Sequence, residues 1–574
     1  MGLLKASLAT VMMLTAASRV EAASLRGALV LNENGGPPAA GIEVRAAGSE
    51  SPGVADADGR FSLSFPALGP GDTVVLEIGD DSREVVNDLA LEQVLAEDPD
   101  ESPAVLLICR KGNRREMAGR LARRVAEETL EDHFRARLSE LEKQQGDGLS
   151  AMPELQKGFD QASASLPILA DQLTDQMLEA GWPTQRKAMR LFLGGKIRPA
   201  IDALDSAMAS IHGEDSPDGE AGGLPSAVRL ARSHLLKAQL LTLALRFYEA
   251  DKAYIAAVAA APDDLRVQAG RALFLATANR TEEAQQAYQL CLKLSKARGT
   301  AAQAAEALHQ ESLFLWRQKR LKEARVRAEE ALRSFREMAA GGRPEHRWDL
   351  ARVLRSLVPI LRDSDDLKEA HAACAEAVDI HRRLAAENPD AGSLHLAMTL
   401  NELAAIQRAL GRGDDARKSL DEALRICRSL AALNGARAQT DLALILENLS
   451  VLHQEQNRPR EARKVLEELV AVYRDLAALK PEVYGPQVAG TLNSLGHLHR
   501  EGQRTKEALR AYEDEIKVYR DLAALKPHVH LPYLALSQVA LAKFHEEEKR
   551  WKEAARLYQE ALKNYSVQEK YFGT

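Results

Sequence analysis

The segment Arg-Asp-Leu-Ala-Ala-Leu-Lys-Pro occurs twice, at residues 474–481 and 520–527, with a separation of 46 residues. Related segments at 428–434, 382–388 and 336–340 keep the same separation. An alanine preceded by an acidic residue also recurs at every step: Ala324, Ala370, Ala416, Ala462, Ala508 and Ala554. A fixed period of this length predicts a solenoid, in which each repeat packs only against its neighbours.

Each repeat is predicted to form a helix, a short turn and a second helix. In one unit the first helix is expected at 400–409, the turn at 411–414 and the second helix at 416–433. The alanine after the acid suits a point where two helix axes approach to about 8–10 Å, because a larger side chain would separate them. A second small position follows two turns later, on the same face. Its members are Ala331, Ala377, Ala423 and Ala561.

Further positions make these units resemble tetratricopeptide repeats. A Leu-Gly pair lies at 495–496, the bulky Tyr512 and Tyr558 lie between small sites, and Pro481 and Pro527 are in the terminal position. The 46-residue step exceeds the basic repeat of about 34 residues, so the helices are expected to be longer, similar to kinesin light chain-like arrays. About nine units are expected over 183–567, with marker alanines at Ala200, Ala250, Ala284, Ala324, Ala370, Ala416, Ala462, Ala508 and Ala554.

The resemblance implies a right-handed superhelix whose concave side is lined by the first helices and holds a protein or peptide segment. Amide, guanidinium and other polar side chains there would suit the carbonyls and terminal carboxylate of an extended peptide. The projected residues are Asn401, Arg408, Glu447, Gln454, Asn493, His497 and Arg500. The alternative for each of them is an ordinary solvated polar residue.

Three histidines, His453, His499 and His545, recur with the same step of 46 residues. Equivalent positions in neighbouring repeats are about 10 Å apart, the spacing of packed helices. That separation is too large for one metal ion with ligands at about 2.1 Å. We therefore predict that the three imidazoles pack between helices.

Residues 1–22 have the pattern of a cleavable signal peptide. Lys5 precedes a short apolar run, and small residues occupy the positions before a cleavage site between Ala22 and Ala23. No cysteine follows that site, so a lipid anchor is not expected, and no later segment is apolar enough to predict a transmembrane helix. The mature chain is expected to be periplasmic or secreted. The alternative is an uncleaved N-terminal anchor.

Residues 23–100 are predicted to form a small all-β sandwich, because short alternating strands are separated by turn residues. The segments that resemble a carboxypeptidase regulatory-like domain, a non-catalytic sandwich, are Gly27, 41–44, 56–61 and 71–74. The resemblance implies no peptidase activity. Asp56 and Asp58 are expected in a tight turn at Gly59 rather than in a calcium site, because further ligand positions are missing.

Residues 101–182 are predicted to connect the sandwich to the array. The apolar segment 104–109 predicts a strand, and apolar residues at helical spacing predict one long amphipathic helix over 114–145. Residues 568–574 are expected to form a C-terminal tail. The predicted architecture is thus an α+β multidomain chain, mainly an α-solenoid, preceded by an all-β sandwich.

Four cysteines, Cys109, Cys291, Cys374 and Cys427, are far apart in the sequence and form no zinc-binding pattern. They are predicted to be buried free thiols. A disulfide between Cys374 and Cys427 in an oxidising compartment is the alternative, although their spacing does not favour it.

No motif for catalysis or for a cofactor is present, including phosphate-binding loops, nucleophile elbows and paired zinc-binding histidines. The net charge of −7 argues against a general nucleic-acid binder. The sequence favours a non-catalytic, exported scaffold or adaptor that binds a protein or peptide segment in its array. The alternative is an envelope- or carbohydrate-binding sensor that uses the sandwich.

Overall fold

The computed structural model describes residues 23–31, 38–98, 104–111, 113–143, 147–179, 182–211, 225–341 and 344–572. The predicted signal peptide at 1–22 lies outside these residues. The chain divides into two compact units, Met1–Gly341 and Gly342–Thr574. We call them the N-terminal unit and the C-terminal unit.

The N-terminal unit begins with a sandwich of two four-stranded sheets. The strands are β1 (Ala23–Leu31), β2 (Glu43–Ala46), β3 (Gly53–Val54), β4 (Arg60–Phe65), β5 (Thr73–Ile78), β6 (Arg83–Val85), β7 (Glu92–Val94) and β8 (Ala104–Arg110). One sheet has the order β4-β1-β8-β6, and the other has the order β3-β2-β5-β7. Alternating residues of the two inner faces, including Leu29, Val44, Phe65 and Leu76, form the core between them.

Strand β8 was assigned to the connector from the sequence, with a domain boundary at residue 100. In the structure it lies between β1 and β6, parallel to β1, with Leu106 opposite Leu29. Its inward side chains complete the core, so the strand is part of the sandwich. Gly27 of β1 is also explained, because a Cβ there would lie 2.4 Å from the Phe61 ring.

The turn before β4 is held by the carboxylate of Asp56, which accepts hydrogen bonds from the backbone N–H groups of Asp58 and Arg60. Gly59 has a φ of +73°, a conformation that glycine adopts without strain. The predicted tight turn is therefore confirmed.

Two antiparallel helices, α1 (Arg114–Lys143) and α2 (Asp147–Leu178), follow the sandwich. Near one end of the pair Arg115 forms an ion pair with Asp175, and farther along the rings of Phe134 and Phe159 are 4.4 Å apart. The long helix predicted at 114–145 is thus α1, and it packs against a second helix of similar length.

The remaining helices of the N-terminal unit alternate as first and second helices of repeats. They are α3 (Pro183–Leu193), α4 (Ile197–Ile211), α5 (Ser226–Leu243), α6 (Phe247–Ala260), α7 (Leu265–Thr277), α8 (Thr281–Arg298), α9 (Ala301–Arg317) and α10 (Leu321–Ala340).

The C-terminal unit continues the alternation. Its helices are α11 (Pro344–Asp363), α12 (Leu367–Glu387), α13 (Pro389–Ala409), α14 (Gly413–Glu455), α15 (Pro459–Leu479), α16 (Pro481–Glu501), α17 (Thr505–Leu525), α18 (Pro527–Glu547) and α19 (Trp551–Phe572). Helix α19 extends into the segment that the sequence assigned to a tail.

Helix α14 corrects the prediction that a second helix ends at residue 433. It runs from Gly413 to Glu455 and so joins a second helix to the next first helix. Equivalent first helices begin at Pro389, Pro481 and Pro527, whereas the corresponding residue here is Gly435. Proline interrupts a preceding helix because it lacks an N–H group and its ring clashes with the previous turn, and this interruption is missing at Gly435.

Each marker alanine is preceded, five residues earlier, by a residue in the left-handed conformation. Within the described residues these are Gly195, Leu245, Asn279, Lys319, Asp365, Gly411, Asn457, Gln503 and Lys549. The next N–H group then bonds to a carbonyl five residues back, as from Arg458 to His453 at 2.8 Å. This is the Schellman motif that ends a helix. All nine predicted repeats therefore turn in the same way.

The acid-alanine pair also has a structural explanation. The marker alanines are at most 2% exposed, as expected where helices approach most closely. From Ala250 onward an acid precedes each of them in the first turn of the second helix, and in some repeats it pairs with an arginine at the turn. Arg320 and Glu323 are 2.6 Å apart, and Arg550 and Glu553 are 3.0 Å apart. An acid here also interacts favourably with the helix dipole.

Candidate functional site

The first helices of the C-terminal unit carry a row of accessible residues that we call the first-helix face. Its members occupy two positions, seven residues or about two turns apart on each helix. They are Met398, Leu444, Gly490 and Leu536 at one position, and Ala405, Val451, His497 and Lys543 at the other. Leu444 and Val451 are each 39% exposed, and Leu536 is 56% exposed. Apolar side chains thus form much of this surface.

Three of the seven residues projected into a groove make hydrogen bonds within the protein. Asn401 accepts a hydrogen bond from Asn448 at 2.8 Å. Glu447 accepts one from the Tyr473 hydroxyl at 2.6 Å. The third residue, Asn493, donates to a buried carboxylate described below. These polar groups join neighbouring helices, which the sequence alone did not show.

The other four projected residues lie at the surface next to the first-helix face. Arg408 pairs with Glu455 at 3.7 Å, and Arg500 pairs with Glu547 at 3.5 Å. Gln454 is exposed. His497 itself belongs to the face, and desolvation by burial lowers the pKa of its imidazole below the ordinary value of 6.5. These residues give the apolar row a polar margin.

A shallow surface depression with little enclosed volume lies beside Arg408, between α13 and α14. Ala404, Ala405 and Leu452 contribute apolar lining, and Asn448 contributes an amide. The small side chains of the two alanines leave this space. It is too small to enclose a small-molecule substrate.

A buried carboxyl group at Glu515 was not found from the sequence. Asn493 Nδ2 donates to its Oε2 at 2.9 Å, and Ser537 Oγ donates to its Oε1 at 2.5 Å. Burial raises the pKa of this carboxyl above its ordinary value. The sequence does contain a sign of this buried carboxyl group. Glu515 occupies the second small position of its repeat, which in other repeats is occupied by Ala423 and Ala561.

The recurring histidines pack between helices, as predicted. His453, His499 and His545 are 5–7% exposed, and Nδ1 of each has no hydrogen-bond partner in the described structure. Burial lowers the pKa of all three imidazoles. In the equivalent position of an earlier repeat, Gln407 accepts a hydrogen bond from Ser419.

The four cysteines are buried and form no disulfide with one another, so the prediction of buried thiols is confirmed. Burial raises the pKa of Cys291, Cys374 and Cys427 to about 12. Thiols with such pKa values are poor nucleophiles near neutral pH. In the described part of the chain, no three His, Cys, Asp or Glu side chains converge as metal ligands. None of the described helices combines the length and apolar character that crossing a bilayer requires.

The apolar members of the first-helix face were also missed from the sequence. The 46-residue step could have revealed them, because it places Met398, Leu444 and Leu536 at equivalent positions. This position lies three residues before the one occupied by Asn401 and Glu447. Only exposure distinguishes these side chains from the core leucines of the same helices, and exposure depends on the packing.

Residues 395–475 match the family model of the tetratricopeptide repeat. A search of curated proteins finds no match. Among solved structures, apo RapI is similar at 14% identity over 70% of this chain and 99% of its own, with a TM-score of 0.41. BtubC from P. vanneervenii is similar at 19% identity over 43% and 92%, with a TM-score of 0.33. The nearly identical TPR-like repeats assigned to a kinesin light chain of Podosopora anserina are similar at 19% identity over 40% and 98%, with a TM-score of 0.30.

The family match, the buried marker alanines and the repeated Schellman turns identify the class of protein. The helical part forms a tetratricopeptide-like solenoid, and it follows a small β domain.

Proposed function

We propose that this chain is a non-catalytic, exported scaffold whose first-helix face binds a segment of a partner protein. Tetratricopeptide arrays are protein-interaction modules, which is the general function that the family match indicates. The observation that supports this particular surface is the row of exposed apolar residues at Leu444, Val451 and Leu536. Apolar side chains in a contiguous exposed row mark interaction surfaces, because burying them on binding is favourable.

The polar margin supports a specific role for this row. Arg408 and Arg500 lie 3.5–3.7 Å from the carboxylates of Glu455 and Glu547. At these distances the guanidinium groups still have N–H donors for other acceptors. An apolar centre with a polar rim is the usual anatomy of a protein–protein interface. The sandwich offers less, since its two aromatic residues, Phe61 and Phe65, are both buried and provide no stacking surface for a sugar.

Site-specific photo-cross-linking tests the location of binding. A photoreactive phenylalanine is placed at residue 444 or 536 of the full chain, and cross-linked segments from an extract of the source cells are identified by mass spectrometry. The matched control is residue 479, a leucine on the second helix α15 that is 66% exposed. We expect the same partner segment at 444 and 536 and not at 479. Equal labelling at 479, or no cross-linked segment at 444 and 536, would contradict the proposal.

Export is part of the proposal and has a separate test. Removal of residues 1–22 would leave strand β1 complete, since that strand begins at Ala23. N-terminal sequencing of the protein purified from its source should give Ala23 as the first residue, in a periplasmic or secreted fraction. A chain that retains residues 1–22 in the cytoplasm would contradict export without affecting the binding surface.

A further inference from the structure

In the N-terminal unit, helix α2 of the chain itself lies on the first helices of the repeats. Gln239 of α5 donates a hydrogen bond to Gln172 at 2.9 Å and accepts one from Gln176. Arg266 of α7 forms an ion pair with Glu179 at the C-terminal end of α2. Polar side chains of α2 and of these two first helices thus contact each other.

The contact continues along α7 and α9. Thr277 of α7 donates to the hydroxyl of Ser165 at 2.6 Å. Arg317 of α9 donates to the backbone carbonyl of Ala164. Helix α2 therefore crosses three successive first helices of the array.

Two of the positions that α2 contacts are the two positions of the first-helix face. Gln239 lies eleven residues before its marker alanine, as do Val451 and His497. Arg266 lies eighteen residues before its marker alanine, as do Leu444 and Gly490. The same repeat positions are thus covered by a helix in the N-terminal unit and accessible in the C-terminal unit.

Four of the residues through which α2 contacts the array have a seven-residue spacing. They are Gly158, which faces Phe247, then Ser165, Gln172 and Glu179. Seven residues make about two helical turns, so the four residues lie in one stripe. From first to last, the stripe extends over about 32 Å of helix at a rise of about 1.5 Å per residue. One side of a regular helix can therefore contact several helices of the array.

Gly490 of α16 provides independent support. It lies in the interior of a helix, where glycine is less stable than alanine. The other two glycines within the helix have a packing reason, since a Cβ would lie 2.9 Å from Leu522 at Gly485 and 2.7 Å from Tyr512 at Gly496. At Gly490 a Cβ would meet no atom within 4 Å. No neighbouring atom therefore requires glycine at this position, and the missing side chain leaves room for an approaching ligand.

We propose that the first-helix face of the C-terminal unit binds an α-helical segment of a partner protein, which approaches most closely at Gly490. The segment carries apolar residues at spacings of three and four, because the polar positions that face α2 are replaced by Leu444 and Val451. A large apolar side chain lies over Gly490, between Leu444 and Leu536 on the neighbouring first helices. This inference rests on the proposed function and specifies the form of the partner.

The test measures the affinity of one synthetic peptide for the full chain and its variants. The peptide has the sequence of the segment cross-linked at residue 444. Gly490→Ala and Gly490→Leu fill the space at the face. Ala555→Leu, at an exposed position of the second helix α19, is the matched control. Circular dichroism follows the helix content of the peptide on binding, and thermal unfolding follows the stability of each variant.

We expect the peptide to gain helix content on binding. We also expect its Kd to rise at least tenfold for Gly490→Leu and severalfold for Gly490→Ala, while Ala555→Leu binds as the wild type does. Gly490→Ala should have a Tm equal to or above that of the wild type, so its weaker binding is not caused by unfolding. A peptide that binds without forming helix, or with the same Kd for Gly490→Leu, would overturn the inference and leave the proposed function intact. Failure to obtain any segment cross-linked at 444 would overturn both.

Discussion

Arg474 on α15 and Asp514 on α17 form an ion pair with a nitrogen–oxygen distance of 2.7 Å. The same contact occurs one repeat earlier between Arg428 and Glu468, at 2.6 Å. It occurs once more between Arg382 and Glu422, at 3.1 Å. In each pair the arginine is the first residue of a segment that recurs every 46 residues, at 382–388, 428–434 and 474–481. Its repetition is therefore explained by a ladder of ion pairs between successive second helices.

We predict a small, salt-dependent contribution of this ladder to stability. Exposed ion pairs contribute about 0.2–1 kcal/mol each. Replacing Arg382, Arg428 and Arg474 together with alanine should lower the free energy of unfolding by about 1–2 kcal/mol at low salt. The difference should shrink in 1 M NaCl, because salt screens exposed charges. Urea unfolding at two salt concentrations measures both values.

The control for the ladder replaces three exposed arginines on the same second helices, Arg425, Arg460 and Arg510, with alanine. No described ion pair joins their side chains to a neighbouring helix. This variant should unfold within about 0.5 kcal/mol of the wild type, as for surface substitutions generally. An equal loss in both triple variants would show that the ladder has no specific role.

The marker alanines should not tolerate larger side chains. Ala554 and Ala555 are neighbours in α19, but Ala554 is buried and Ala555 is exposed. Ala554→Leu should lower the free energy of unfolding by about 1–3 kcal/mol, because extra methyl and methylene groups must be forced between packed helices. Ala555→Leu should change it by less than about 0.5 kcal/mol. Comparable losses in the two variants would contradict close helix packing at the marker.

The three recurring histidines should make the array less stable at acid pH. Burial lowers the pKa of His453, His499 and His545 below 6.5 in the folded state. Between those lowered values and pH 6.5 the unfolded chain binds more protons than the folded chain, so stability rises with pH through this range and falls on acidification. The Tm should therefore decrease between pH 7.5 and 5.5.

A triple His→Gln variant is the control for this pH dependence, because Gln407 occupies the equivalent position in another repeat. The Tm of this variant should decrease less between pH 7.5 and 5.5 than the Tm of the wild type does. Identical slopes for the two proteins would show that these imidazoles do not titrate on unfolding.

Glu515 should have the opposite pH dependence. Burial raises the pKa of its carboxyl above 4.5 in the folded state. The stabilisation from the protonated carboxyl is therefore complete below about pH 4.5 and is lost as the pH rises through the raised pKa. The cause is the free-energy cost of removing the ionised carboxylate from water. Glu515→Gln should be more stable than the wild type at pH 7.5, and this difference should shrink at pH 4.5. A wild type that is more stable at pH 7.5 in urea unfolding would contradict this prediction.

The repeat architecture could be predicted from the sequence because its determinants are local and periodic. Ala462 and its equivalents are small for a geometric reason that holds in every repeat, and burial confirms it. The end of each helix follows from a turn that recurs with the same step. The exception, α14, occurs where Gly435 replaces a proline, a local change that the periodic pattern concealed.

The candidate site was less predictable, because a polar residue on a helix does not show which neighbour it will contact. Asn401 and Glu447 were expected to face a peptide, but each forms a hydrogen bond within the protein. Leu444 and Leu536 resemble core leucines in the sequence and are exposed in the structure. The coverage of equivalent positions by α2 was not predictable at all, since it depends on tertiary packing of a segment without a repeat pattern.

The central claim is that a partner protein binds at the first-helix face. Its most direct test is a binding measurement with the partner protein that cross-linking identifies, purified in its unmodified form. The Kd of this partner is compared for the wild-type chain, the double variant Leu444→Glu/Leu536→Glu and the control variant Leu479→Glu. We predict that the double variant binds at least a hundredfold more weakly, because two carboxylates would be buried in an apolar contact. We predict no change for Leu479→Glu. Equal affinity for the double variant and the wild type would contradict the claim.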